Sequence, residues 1–137
     1  MQILALDISK SSTGLAVGNG SGAPFTTSRG FDAETTEETM GVFTRWFSQQ
    51  CRDHSPKLIV VEDVYVPQAR NRMNSAILLL QMLGCARAVS WMRDETPMVV
   101  VRSQTWRKSF LGQARFEAAE HPVTGRNLTG RDVAKFM

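Results

Sequence analysis

Asp7 and Glu62 are the residues of this chain best placed to do chemistry. Each closes a short apolar run: Ile3-Leu4-Ala5-Leu6-Asp7 and Leu58-Ile59-Val60-Val61-Glu62. Runs of this length read as buried strands. A carboxylate buried without compensation is costly, so each acid calls for a partner such as a metal ion. Two strands that each deliver one acid suggest a divalent-cation site. Carboxylate oxygens without His or Cys suit Mg²⁺ or Mn²⁺. The competing reading is structural, with Asp7 capping a turn and Glu62 paired to a nearby Lys or Arg. Asp63 ranks second as a ligand, because strand alternation turns it to the face opposite Glu62.

The elements that must position these acids follow from the sequence around them. Ile3 to Asp7 is a strand, and Thr13 to Val17 is its hairpin partner across a polar link, Ser9-Lys10-Ser11-Ser12. Gly18-Asn19-Gly20-Ser21-Gly22 is a strong turn signal, and a third strand covers Phe25 to Gly30. Met40, Phe43, Phe47 and Cys51 follow helical spacing and predict a helix from about Thr36 to Asp53. Pro56 breaks it, and the Glu62 strand follows. Val64 to Asn71 reads as a loop with a basic end. Asn74 to Arg93 reads as a long helix, apolar over much of its surface through Ala76, Ile77, Leu80, Leu83 and Val89. Pro97 precedes a strand, Met98 to Val101. Ser103 caps a short helix ending near Gly112, Gln113 to Leu128 is irregular, and Thr129 with Asp132 opens a last helical segment. The order β-β-β-α-β-α-β-α is an α/β pattern: a meander of three strands, then strand–helix units that favour parallel pairing.

Composition narrows the function classes. The 137 residues suffice for one domain with its own core, and a hydrophobic share of 42% is that of a globular protein. No apolar stretch is expected to reach the ~20 residues of a membrane helix, and the N-terminus lacks a signal peptide's charged start and cleavage site. Cys51 and Cys85 are far apart in sequence and read as reduced thiols of a cytoplasmic protein. A net charge of +3 permits a nucleic-acid partner. The polar turn after Asp7, with Lys10 and Ser11, could hold a phosphate or be an ordinary hairpin link. Arg70, Asn71 and Arg72, just past the Glu62 strand, could contact a nucleic-acid backbone or simply form a solvated helix start. Arg107 and Lys108 form a further basic group with Arg102. His54 and His121 are isolated and receive no role. The chain ends about two turns into its last helical segment, which reads as a truncation.

The order and spacing of these motifs resemble the RuvC-like Holliday junction resolvases of the ribonuclease H-like superfamily, in their phage and prophage form. Asp7-x5-Thr13-Gly14 looks like the family's opening. Val61-Glu62-Asp63-Val64-Tyr65 resembles its second acidic motif, and the helix with Asn74, Gly84, Ala86 and Arg87 the one that follows. Arg102-Ser103-Gln104-Thr105-Trp106-Arg107-Lys108-Ser109-Phe110-Leu111-Gly112 is similar to a segment of the phage members. The resemblance spans nearly the whole chain. It implies a mixed five-stranded sheet flanked by helices, in one ribonuclease H-like domain. It also implies two Mg²⁺ or Mn²⁺ ions in the complete site, with Asp7 and Glu62 as catalytic metal ligands. Four-way DNA junctions are the implied substrate, and the helix over 74–93 the implied homodimer contact. Ser9 departs from the family's usual Gly. The family's last acidic motif is absent and is expected after Met137. Two other readings stand beside this one: a non-catalytic branched-DNA binder of the same fold, and an actin-like nucleotide-binding module, which shares a strand–Asp–polar-turn opening.

Overall fold

Leu4, Leu6 and Ile8 alternate with Ile3, Ala5 and Asp7, and this alternation decides which side of the sheet is dry. In the computed structural model Leu4, Leu6 and Ile8 are buried, whereas Ala5 and Asp7 are exposed. The structure describes residues 1–64 and 70–102, without the side chains of 70–72, and the backbone of 119–120 and 127–128. It falls into two units, Met1–Val100 and Val101–Met137.

The first unit contains β1 (Ile3–Asp7), β2 (Thr13–Gly18), β3 (Phe25–Arg29), α1 (Thr36–His54), β4 (Leu58–Glu62), α2 (Arg70–Met92) and most of β5 (Met98–Val101). The strands form one sheet in the order β3-β2-β1-β4-β5. β1, β2 and β3 pair antiparallel as a meander, and β4 joins β1 in parallel. Parallel strands need a long crossover, and α1 lies in the connection from the meander to β4.

Both helices pack against the same face of the sheet. Leu4, Leu6, Leu15, Val17, Ile59 and Val61 come from β1, β2 and β4, and they share one core with Phe43, Phe47, Met82 and Ala86. Aromatic contacts knit the α1 side together: Phe31 meets Phe43 edge-on at 5.3 Å and Trp46 at 5.3 Å. The boundaries of α1 follow from its caps. The Thr35 hydroxyl accepts from the Glu38 N–H, and Glu37 and Glu38 fill the positive first turn. Ser55, left-handed at φ 45°, closes the helix by donating its N–H to the Cys51 carbonyl.

Three expectations change. The second helix begins at Arg70, not Asn74. No Pro or Gly falls between Pro67 and Asn74, so the basic residues read as a loop end can form its first turn. Within the stretch read as irregular, β6 (Ala119–Glu120) pairs antiparallel with β7 (Asn127–Leu128). Two-residue strands are too short to show alternation. Finally, Met73–Met92 is long and apolar enough to cross a membrane by length and composition, at a mean hydropathy of 1.4. Its inner side, from Ala76 through Met82, Leu83, Ala86 and Val89, is packed into the core. The segments expected to be helical over 103–112 and from Thr129 onward lie outside the described residues.

Candidate active site

β1 and β4 run side by side with Ile3 level with Leu58, Leu4 with Ile59, Ala5 with Val60 and Leu6 with Val61. Asp7 and Glu62 are the next residues of the two strands, each the last of its strand. In-register residues of parallel strands point to the same face, on backbones about 4.8 Å apart. The two acids predicted from sequence therefore close adjacent parallel strands at their C-terminal ends. On its other side Asp7 is level with Gly14 of β2. Gly14 contributes no side chain, and a Cβ built there would meet nothing within 4 Å. A strand glycine of this kind leaves room for a ligand to approach the backbone.

The premise of burial is corrected. Asp7 is exposed and Glu62 half-buried. Both belong to the face that α1 and α2 leave uncovered, opposite Leu6 and Val61. What would favour a cation is instead two like charges carried on neighbouring strand ends, which a shared divalent ion converts from repulsion to coordination. The donor set fits Mg²⁺ or Mn²⁺: Mg²⁺ characteristically takes one or two carboxylates and completes its shell with water and substrate phosphates. Among the described residues no group of three or more His, Cys, Asp or Glu side chains gathers as a metal cluster. Asp63 lies just beyond β4 and is exposed.

The turn after Asp7 is tightly fixed. Thr13, fully buried, accepts from the Ser9 N–H and donates its hydroxyl to the Ser9 carbonyl. The Phe31 N–H donates to the Lys10 carbonyl at 2.7 Å. Gly30 lies so close that a Cβ there would come within 2.8 Å of the Ser11 carbonyl oxygen. Lys10 Nζ lies 3.1 Å from Asp32 Oδ1. A cleft of about 420 Å³ opens between this turn and α2, with Lys10, Ser11 and Asp32 on one side and Asn74, Leu78 and Leu79 on the other.

Of the candidates for backbone contacts, Lys10 and Ser11 line this cleft. Arg70, Asn71 and Arg72 form the first turn of α2, immediately before the cleft-lining Asn74. Arg107 and Lys108 lie outside the described residues. Sequence reasoning missed Asp32 and Ser75, which also borders the cleft. Asp32 follows Gly30-Phe31, and only the tertiary contact of that segment with the Lys10 turn reveals it.

No family model and no curated protein matches the chain. Solved structures do. RuvC from Thermus thermophilus superimposes with a TM-score of 0.68 at 17% identity, covering 88% of this chain and 74% of that one. T. thermophilus RuvC in complex with Holliday junction substrate gives 0.69 at 13% identity, covering 83% and 73%. The yeast mitochondrial Holliday junction resolvase gives 0.58 at 8% identity, covering 81% and 56%. At these identities the likeness establishes the fold, which is RuvC-like and of the ribonuclease H type.

Proposed function

We propose that this chain is a divalent-metal-dependent, structure-selective endonuclease that hydrolyses phosphodiester bonds at four-way or other branched DNA junctions. The observation that supports the reading is that β1 and β4, parallel neighbours in a RuvC-like sheet, end in Asp7 and Glu62. Asp7 and Glu62 would hold the cation. When bound, it supplies an acidified water as nucleophile and a countercharge for the leaving oxygen. The two strands would hold the carboxylates near one another, and the open space at Gly14 would leave the phosphate a way in. A complete two-ion site takes further carboxylates; Asp7 and Glu62 are proposed as two of its ligands.

Lys10, Ser11, Arg70, Asn71, Arg72, Arg107 and Lys108 are proposed to meet the DNA. The outward side of α2 is proposed as a homodimer contact. Met73, Ile77 and Leu80 are exposed there at 39%, 46% and 43%, in the i, i+4, i+7 spacing of one helix face. A two-fold dimer would present two sites to a symmetric junction.

A second reading is a branched-DNA binder without catalysis, favoured by the gathering of two acids rather than three among the described residues. One assay separates the two. The chain is incubated with a four-way junction and Mg²⁺ or Mn²⁺, beside Asp7→Asn and Glu62→Gln variants. Cleavage by the wild type that either variant abolishes supports the nuclease. Full cleavage by Asp7→Asn sinks it, and junction binding without cleavage by any of the three favours the binder.

A further inference from the structure

The cleft between the turn that follows Asp7 and α2 has a composition that cation binding does not explain. Its volume of about 420 Å³ falls within the range of small-ligand pockets. A phosphate is the first occupant to consider, since Lys10 and Ser11 are there. The wall argues against it. Asp32 sits 3.1 Å from Lys10 Nζ, so the two formal charges cancel, and a carboxylate repels an anion. A phosphate would also make no use of Leu78 and Leu79, half-buried on the α2 side.

An unpaired nucleobase uses all of these features. Splayed bases are held by apolar contact on their faces and hydrogen bonds on their Watson–Crick edges. Here Leu78 and Leu79 supply the apolar surface, and the Asp32–Lys10 pair supplies an edge that accepts next to one that donates. We propose that the cleft takes one unpaired base of the branched DNA, and that the Asp32–Lys10 pair selects guanine. This inference rests on the branched-DNA reading above.

Guanine presents N1–H and N2–H as adjacent donors beside the O6 acceptor. The two oxygens of Asp32 accept both donors, a bidentate capacity that carboxylates have, and the Lys10 ammonium donates to O6. Adenine offers the same pair one donor and one acceptor, cytosine one donor and two acceptors, and thymine a single N–H between two carbonyls. The edge is also preorganised. The Phe31 N–H donates to the Lys10 carbonyl, which ties the residue before Asp32 to Lys10 itself, and Phe31 is buried against Phe43 and Trp46. Two residues of extended chain span at most about 7 Å, so Ser9 at the cleft lies within that distance of Asp7. The base bound there would belong to a nucleotide near the branch.

The test uses the full chain and four branched DNAs that differ only in one unpaired nucleotide at the branch, A, C, G or T. Affinity is read by fluorescence anisotropy, with Ca²⁺ replacing Mg²⁺. The expected result is a preference for G over T of about tenfold, in line with the discrimination a bidentate base contact supplies. Asp32→Ala should flatten the series, and Lys10→Ala should reduce the preference for G. The Asp32 side chain is 79% exposed, so the variant retains the fold, which circular dichroism verifies. Equal wild-type affinity for all four DNAs overturns the inference, as does an unchanged rank order in Asp32→Ala. If Asp32→Ala instead tightens all four equally, with a steeper salt dependence, the cleft holds phosphate and the inference is wrong. Wild-type binding without base preference defeats this inference alone; failure to bind any of the four defeats the DNA reading with it.

Discussion

Asp7 and Glu62 close the neighbouring parallel strands β1 and β4, each one residue beyond the paired Leu6 and Val61, so the same two strands that build the core also carry the acids. A core substitution at Val61 or Leu6 would therefore disturb the site as well as the fold, whereas substitutions of the acids themselves should be separable from folding.

That separation is the first prediction. Asp7 is exposed and Glu62 half-buried, and substitutions outside the core move stability by about 0.5 kcal/mol or less. Asp7→Asn and Glu62→Gln should leave the melting temperature without metal nearly unchanged, while cleavage falls at least ~100-fold, because several kcal/mol of transition-state stabilisation is lost. Mg²⁺ should raise the melting temperature of the wild type and of neither variant. A thermal-shift titration checks this independently of activity, and equal Mg²⁺ stabilisation of all three proteins would contradict it.

Two glycines flank the site and should respond oppositely to alanine. At Gly30 a Cβ would stand 2.8 Å from the Ser11 carbonyl oxygen, a backbone atom of a turn already fixed by Thr13 and Phe31. Gly30→Ala should destabilise by about 1–3 kcal/mol, the usual cost of overpacking. At Gly14 a Cβ meets nothing within 4 Å, so Gly14→Ala should fold normally. Its methyl group narrows the approach to Asp7, and cleavage should drop with the melting temperature intact. Denaturant unfolding of both variants, with a junction-cleavage assay, distinguishes the two effects.

Much of this arrangement is legible in the sequence because the relevant signals are local. The apolar runs ending in Asp7 and Glu62, the turn glycines after Val17 and the Phe43–Phe47–Cys51 spacing each declare an element without help from the rest of the chain. What misleads is anything that depends on the layers. An apolar run does not reveal that α1 and α2 cover the face opposite Asp7, so Asp7 reads as buried although it is exposed. The all-round hydrophobicity of α2 likewise does not say which residues pack, and Ile77 and Leu80 stay exposed while Ala76 and Met82 are buried. Asp32 carries no local signal at all. Its importance arises from a contact between residues 30–32 and the Lys10 turn, some twenty positions earlier.

The exposed side of α2 supplies a third prediction. If a second copy covers Ile77 and Leu80, then Ile77→Glu should convert dimer to monomer in sedimentation experiments and remove the concentration dependence of the wild-type melting temperature. Met82→Ala is the contrast. Met82 is fully buried, so the variant should lose about 2–5 kcal/mol of stability. A wild type that sediments as a monomer at micromolar concentration would refute the dimer.

Cys51 gives the fourth, a pH dependence with a definite sign. Burial raises its thiol from 9.0 to about 11, partly opposed by Arg93 and Arg52. The folded protein therefore keeps the proton that the unfolded chain releases above pH 9. Between pH 9 and 11 the native state binds more protons, so stability falls as pH rises through that window. The contribution is complete below pH 9 and lost progressively towards and beyond 11. Replacing Cys51 with Ala removes this group, and the slope of unfolding free energy against pH should become shallower in that window, whatever the cavity costs at neutral pH. The same burial should protect the thiol chemically: at pH 8 a thiol-reactive dye should label the half-buried Cys85 well before Cys51. Faster labelling of Cys51, or an unchanged slope in Cys51→Ala, would contradict the assignment.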